Sequence, residues 1–201
     1  MAELSILIPA RNEMFLKNTV EDILENIEAD TEIIVVLDGQ WAEPGLEQHP
    51  KLKVVYLPVS IGQRAATNMA CRLSLSKYVM KIDAHCSFDK GFDKKMLDKM
   101  QDNYTMVPIM RNLHAFDRVC SVCGRREYQG PALECCGKEM EKEIKWIGKE
   151  SPQSTSYRFN TDLEFKYWGE YKAKQEGDIV DTMSLQGSCF LMTREKYWEL
   201  N

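Results

Sequence analysis

The chain has no apolar run that approaches the roughly 18 residues of a membrane span. Its opening, Met1-Ala2-Glu3-Leu4-Ser5, lacks the charged and long apolar stretches of a signal peptide, so no secretory leader is expected. It also lacks a basic excess. With 26 Lys and Arg against 31 Asp and Glu, the net charge of −5 argues against bulk binding to nucleic acid or to an anionic membrane. There are no internal repeats and no low-complexity tract. Seven cysteines, an odd number, do not read as a disulfide framework. These absences leave a cytoplasmic globular protein, long enough at 201 residues for one domain with a real core and one inserted module.

What is present reads first as alternating strands and helices. Leu4 to Ile8 is a short apolar run ended by Pro9, as expected of a buried parallel strand. Leu16, Val20, Ile23, Leu24 and Ile27 recur at helical spacing. Glu32 to Leu37 and Leu52 to Leu57 are strand-like, and Ile61, Ala65, Ala66, Met69, Ala70 and Leu73 mark a second helix with Gly62 near its start. Tyr78 to Ile82 is a fourth strand, Thr105 to Pro108 a short fifth, and Ser188 to Met192 a last one before a helix from Glu195. Such alternation implies an α/β fold, an open and mostly parallel sheet with helices on both faces. Three segments follow: a core over 1–114, an insertion over 115–180, and a return to the core over 181–201. From Ala115 to Gly177 the composition shifts to Lys, Glu, cysteines and aromatics (Trp146, Tyr157, Phe159, Phe165, Tyr167, Trp168, Tyr171). A small metal-stapled element followed by helical or irregular structure is expected there.

In an open parallel sheet, ligands collect at the carboxyl ends of the strands. Arg11-Asn12-Glu13 follows the first strand, Asp38 the second, and Asp83-Ala84-His85 the fourth, while Arg64 opens the helix after the third. A carboxylate and an imidazole two residues apart can hold one divalent ion of the Mn²⁺ kind. A helix start offers free N–H groups to a phosphate. Together these groups describe a pocket for a nucleoside diphosphate and a metal. His49 reads as loop and His114 as a structural histidine.

The same residues carry a resemblance. Ser5-Ile6-Leu7-Ile8-Pro9-Ala10-Arg11-Asn12-Glu13 resembles the first strand of family 2 type glycosyltransferases of the GT-A (Rossmann-like) fold, and Ile34-Val35-Val36-Leu37-Asp38-Gly39 their second-strand Asp. Gly62-Gln63-Arg64-Ala65-Ala66-Thr67-Asn68 is similar to their Gly-x-x-x-Ala-x-Asn helix, with the arginine earlier than usual. Asp83-Ala84-His85 matches their metal motif in the Asp-x-His form of the polypeptide N-acetylgalactosaminyltransferases, where most relatives carry Asp-x-Asp. Gly187 to Arg194 resembles the acceptor-side strand.

The resemblance implies a glycosyltransferase using a nucleotide-diphosphate sugar, UDP-linked by expectation, and an acceptor of unknown kind. Pro9, Arg11, Glu13, Asp38, Arg64 and Asp83 would bind the donor, Asp83 and His85 would hold Mn²⁺ or Mg²⁺, and Gln186 and Gly187 would line the acceptor side. The family's catalytic base is expected beyond Asn201, so the chain reads as C-terminally truncated, with Glu195 and Glu199 as scaffold. A non-catalytic nucleotide-sugar-binding or scaffold module is the alternative. A nucleotidyltransferase would need a glycine-rich loop after the first strand, and Pro9 to Glu13 contains no glycine.

Cys120-x-x-Cys123-Gly124 and Cys135-Cys136-Gly137 form two close pairs that suit tetrahedral Zn²⁺, or less readily iron. Glycine after each pair permits a tight knuckle. These residues resemble desulforedoxin-type and short zinc-ribbon elements. So small an insertion buries little apolar surface, and a metal would supply much of its folding free energy.

Overall fold

A computed structural model describes residues 2–152, 158–159, 162, 164–166, 178–179, 181–182 and 187–200. In chain order the elements are β1 (Leu4–Ala10), α1 (Leu16–Asn26), β2 (Thr31–Asp38), β3 (Leu52–Leu57), α2 (Gln63–Leu73), β4 (Tyr78–Ile82), α3 (Phe92–Leu97) and β5 (Thr105–Met106). There follow β6 (Arg111–Val119), β7 (Arg126–Tyr128), β8 (Glu134–Cys135), β9 (Lys138–Glu139), β10 (Glu141–Pro152), β11 (Arg158–Phe159) and β12 (Phe165–Lys166), then β13 (Cys189–Thr193) and α4 (Arg194–Glu199). The chain divides into two compact units: Met1–Pro108 with Ser184–Asn201, and Ile109–Met183. Among the described residues no helix is long and apolar enough to cross a membrane.

The first unit is built on a six-stranded sheet of order β3-β2-β1-β4-β13-β5. β1, β2, β3 and β4 pair in parallel, and β13 runs antiparallel to β4 and β5. The period-two geometry of a strand explains why the central runs are apolar throughout. Leu4, Ile6, Ile8, Ile33, Val35, Met80 and Ile82 face one side and pack with Leu16, Val20 and Ile23 of α1 and Phe92 of α3. Leu7, Ile34, Val36 and Val79 face the other and pack with Ala66 and Ala70 of α2 and Tyr197 of α4. The α/β class and the mostly parallel sheet with helices on both faces are therefore as expected from the sequence.

β1 continues past Pro9, contrary to the reading that Pro9 ends it. Pro9 and Ala10 still register with Val36 and Leu37 of β2, whereas the ladder to β4 stops at Leu7. A proline cannot donate to a ladder, and this one sits where one of its two neighbours has already ended. α3, which the sequence reading did not mark, is six residues long and is held by Asp93. That fully buried carboxylate accepts from the N–H groups of Glu28, Ala29 and Lys94 and from the Thr31 hydroxyl (2.6 Å).

Burial pushes the Asp93 carboxyl up, but the Thr31 hydroxyl and the three N–H groups outweigh it, so the group lies below the ordinary carboxylate range. A carboxyl depressed in the folded state contributes stability that is present above its unfolded pKa of about 3.9 and is lost as pH falls through the folded value. Asp93→Asn is expected to cost roughly 2–3 kcal/mol near neutral pH, because an amide cannot accept all four bonds. It should also flatten the acid limb of a urea-unfolding series run below about pH 4, and an acid limb identical to wild type would refute this.

The second unit corrects one expectation. Helical or irregular structure was expected after the cysteines, but Glu141–Pro152 is a long strand antiparallel to β6, and β7 completes a three-stranded sheet. The alternation is hard to read because Ile144 and Ile147 are both exposed and a register shift falls between them, with Trp146 at φ 53°. Arg126 pairs with Glu143 across this sheet, and Lys145 with Glu143 and Asp117. Arg118, buried, donates to the carbonyls of Met140 and Gly130 and tethers the loops on either side of β8 and β9. Of the aromatics noted in the sequence, Tyr157, Tyr167, Trp168 and Tyr171 lie outside the described residues.

Candidate active site and four-cysteine cluster

Parallel strands put their carboxyl ends at one edge, and an antiparallel neighbour puts its start there. β1, β2 and β4 thus deliver Arg11 to Glu13, Asp38, and Asp83 to His85 to the same edge at which β13 begins, since Cys189 registers with Ile82. α4 leaves β13 from the opposite edge, where Thr193 registers with Tyr78, so Glu195 and Glu199 belong to the far end of the sheet.

Asp38 is almost completely buried and its carboxylate holds the loop before α2. It accepts from the Ile61 N–H (2.6 Å), the Gly62 N–H (3.0 Å) and the Ser60 hydroxyl (2.8 Å). Burial alone pushes this carboxyl up; those three donors and the nearby Arg11 charge more than offset it, and the group sits below the usual range. Gly39 is required beside it. Its φ is +83°, and a Cβ there would lie 2.9 Å from the Ser60 nitrogen. Arg64 stands exposed in the first turn of α2.

At the end of β4 the candidate ligands meet other partners. His85 Nδ1 lies 3.3 Å from the Glu13 carboxylate. A carboxylate on one ring nitrogen is the usual way a metal-binding imidazole is oriented, leaving Nε2 for the ion. Asp83 pairs through Oδ1 with the ammonium of Lys81, which also donates to the Gly187 carbonyl at 2.5 Å. The Asp83 N–H donates to the Ser188 carbonyl at 2.9 Å. Cys86 and Cys189, nearby, are poor nucleophiles: burial pushes both thiols up, Cys86 to about 12.

Lys81 is the residue that the sequence reading missed. A lysine inside an otherwise apolar strand, Tyr78-Val79-Met80-Lys81-Ile82, was the available signal, because a buried lysine needs a partner. Gln186 lies outside the described residues. His114 belongs to the second unit, where it meets Asp117 at 2.7 Å and stacks obliquely on Tyr128.

In that second unit the four cysteines converge. Their sulfurs all lie within 4.8 Å of one another, and none is in a disulfide. Cys123 and Cys135 sulfurs are 3.6 Å apart, those of Cys135 and Cys136 3.9 Å. Tetrahedral zinc with Zn–S bonds of about 2.3 Å has sulfur–sulfur edges of about 3.8 Å. Two tight turns present them. Gly124, at φ +72°, follows Cys123, and the β8–β9 hairpin turns through Cys136 (φ 51°) and Gly137 (φ 73°), a type I′ pair. The N–H groups of Cys123 and Val122 hold the Cys120 thiol down, to about 6.

The sequence model of Glycosyl transferase family 2 matches residues 5–119, more than half of the chain, and the protein belongs to that family. No curated protein matches its sequence. Solved structures that it resembles include a mannosyltransferase from Pyrobaculum calidifontis in complex with GDP-Man and Mn²⁺, at 23% identity and a TM-score of 0.38. That likeness covers 44% of this chain and 29% of the other. A second is TarS of S. aureus, at 18% identity and a TM-score of 0.38, covering 46% of this chain and 18% of the other. The chain thus spans less than a third of either structure's length.

Proposed function

We propose that this chain forms the donor-binding part of a glycosyltransferase that takes a nucleotide-diphosphate sugar, a UDP-sugar in the first instance, with Mn²⁺ or Mg²⁺. The observation that carries the proposal is the common edge: Asp38, the Glu13–His85 pair and the Lys81–Asp83 pair stand at adjacent strand ends of one sheet. Asp38 and Glu13 read the nucleoside, Pro9 shapes the wall beneath it, and Arg11 and Arg64 supply positive charge toward the diphosphate. Gly187, at the turn that opens β13, lines the acceptor side.

Asp83 and His85 would hold the divalent ion. One carboxylate and one imidazole make an incomplete protein shell, which fits an ion that takes its remaining ligands from substrate phosphates and water. When bound, such an ion neutralises charge on the leaving diphosphate. The protein's own part is positioning: Asp38 keeps the Ser60–Gly62 loop in place, and Glu13 sets the imidazole plane. Transfer breaks the bond from the anomeric carbon to the phosphate oxygen and forms one to an acceptor oxygen, whose proton passes to a base.

The four cysteines we assign to one structural Zn²⁺, because four sulfurs fill a tetrahedral shell and leave no open position for substrate. Seven cysteines without a disulfide among them suit a reducing compartment such as the cytoplasm.

Calorimetric titration with UDP, GDP, CDP and dTDP, each with and without Mn²⁺, tests the donor reading. UDP binding that strengthens at least tenfold with Mn²⁺ is the expected result. Preference for GDP would keep the site and change the donor base. Absence of binding to all four would overturn the proposal.

A further inference from the structure

Lys81 is 5% exposed, in a strand whose other residues are all buried. A lysine there carries three donors and no acceptor, and its charge is costly to bury without compensation. It finds two oxygens on segments far apart in the sequence: Asp83 Oδ1, just past the end of its own strand, and the carbonyl of Gly187. The same two segments are joined again by the hydrogen bond from the Asp83 N–H to the Ser188 carbonyl. A buried ammonium needs acceptors, and an apolar side chain at this position would need neither oxygen. Nor does the local core ask for a charge, since Val79, on the same side of the strand, packs against the apolar cluster of α2 and α4.

We propose that Lys81 is a positioning residue of the donor site: it fixes Asp83 through Oδ1, which leaves Oδ2 as the oxygen for the divalent ion, and it ties that carboxylate to the Gly187–Ser188 turn that opens β13. The inference rests on the donor-site reading given above. One cation then sets the geometry of the metal ligand and of the acceptor-side turn together. Loss of the ammonium frees both, whereas a guanidinium, with donors to spare, keeps both bonds in part.

The test compares wild type, Lys81→Met and Lys81→Arg as full chains by hydrogen–deuterium exchange without ligand and by Mn²⁺-dependent UDP binding. In Lys81→Met, exchange across Gly187 to Phe190 should quicken at least tenfold while exchange in β2 stays as in wild type. The Mn²⁺-dependent affinity for UDP should fall at least tenfold, and Lys81→Arg should recover part of both. Unchanged exchange at Gly187 to Phe190, exchange that rises equally in β2, or a loosened turn with wild-type affinity would each overturn the proposal. Should Lys81→Met fail to fold, Lys81→Gln, which keeps a donor, is read in the same way. Failure of that variant too would make Lys81 a general stabiliser and refute the positioning role. If wild type itself binds no nucleotide with Mn²⁺, the donor-site reading falls, and the exchange data alone still show whether Lys81 holds the turn.

Discussion

Removing the zinc proposed for the four-cysteine cluster is expected to unfold the segment from Ile109 to Pro152 and leave the six-stranded sheet standing. Few apolar side chains hold that segment: Ala115, Cys120 and Met140 are the buried hydrophobic residues among those described in the second unit. Its strands are joined by hydrogen-bond ladders and by exposed ion pairs such as Arg126–Glu143, which stabilise little on their own. A structural zinc contributes apparent folding free energy of about 10–16 kcal/mol in small elements of this kind, far more than these contacts can replace. Cys135→Ser, or a strong chelator, should therefore abolish the one zinc per chain read by elemental analysis. Amide exchange across β6, β7 and β10 should become complete within seconds, with β1 and β2 still protected. A metal-free protein that keeps its protection in β6 and β10 would sink the zinc assignment, and one iron per chain would correct the metal.

Asp83→Asn is expected to lower Mn²⁺-dependent nucleotide affinity at least ~100-fold, about 2.7 kcal/mol, at a smaller cost in stability than Asp83→Ala. The choice of asparagine matters. Its amide oxygen still accepts from the Lys81 ammonium, so the buried cation keeps a partner while the anionic metal ligand disappears. Asp83→Ala would remove both, leaving Lys81 with the Gly187 carbonyl alone, and should lower stability by up to about 3 kcal/mol as well. Comparing the two separates ion binding from folding. Wild-type nucleotide affinity for Asp83→Asn with Mn²⁺ would exclude Asp83 as a ligand.

The central sheet was legible because strands buried on both faces are written as continuous apolar runs, and β1, β2 and β4 are such runs. Asp38 and Asp83 stood out for the complementary reason: a carboxylate that ends an apolar strand sits at the edge where ligands bind. The partners of these groups were not legible. Nothing in the sequence says that Ser60, Ile61 and Gly62 turn their donors onto Asp38, or that Glu13 meets His85, because both pairings depend on how two loops fold over the strand ends. The β10 strand was missed because its stabilisation comes from a ladder and from charge pairs, neither of which leaves an apolar alternation to count. α3 escaped notice because it is short and is fixed by a single buried carboxylate rather than by a periodic face.

The position of β13 between β4 and β5 has a consequence for how this protein can change. Its register is set by the two strands beside it, not by the length of chain that leads to it. Closing a long connection costs only about 0.6 kcal/mol for each doubling of its length. To the sheet, everything from Ile109 to Met183 is one excursion whose size it barely senses. A lineage could therefore lengthen, shorten or replace the cysteine-bearing unit wholesale, and the strand ends that gather Asp38, Asp83 and Gly187 would stay where they are.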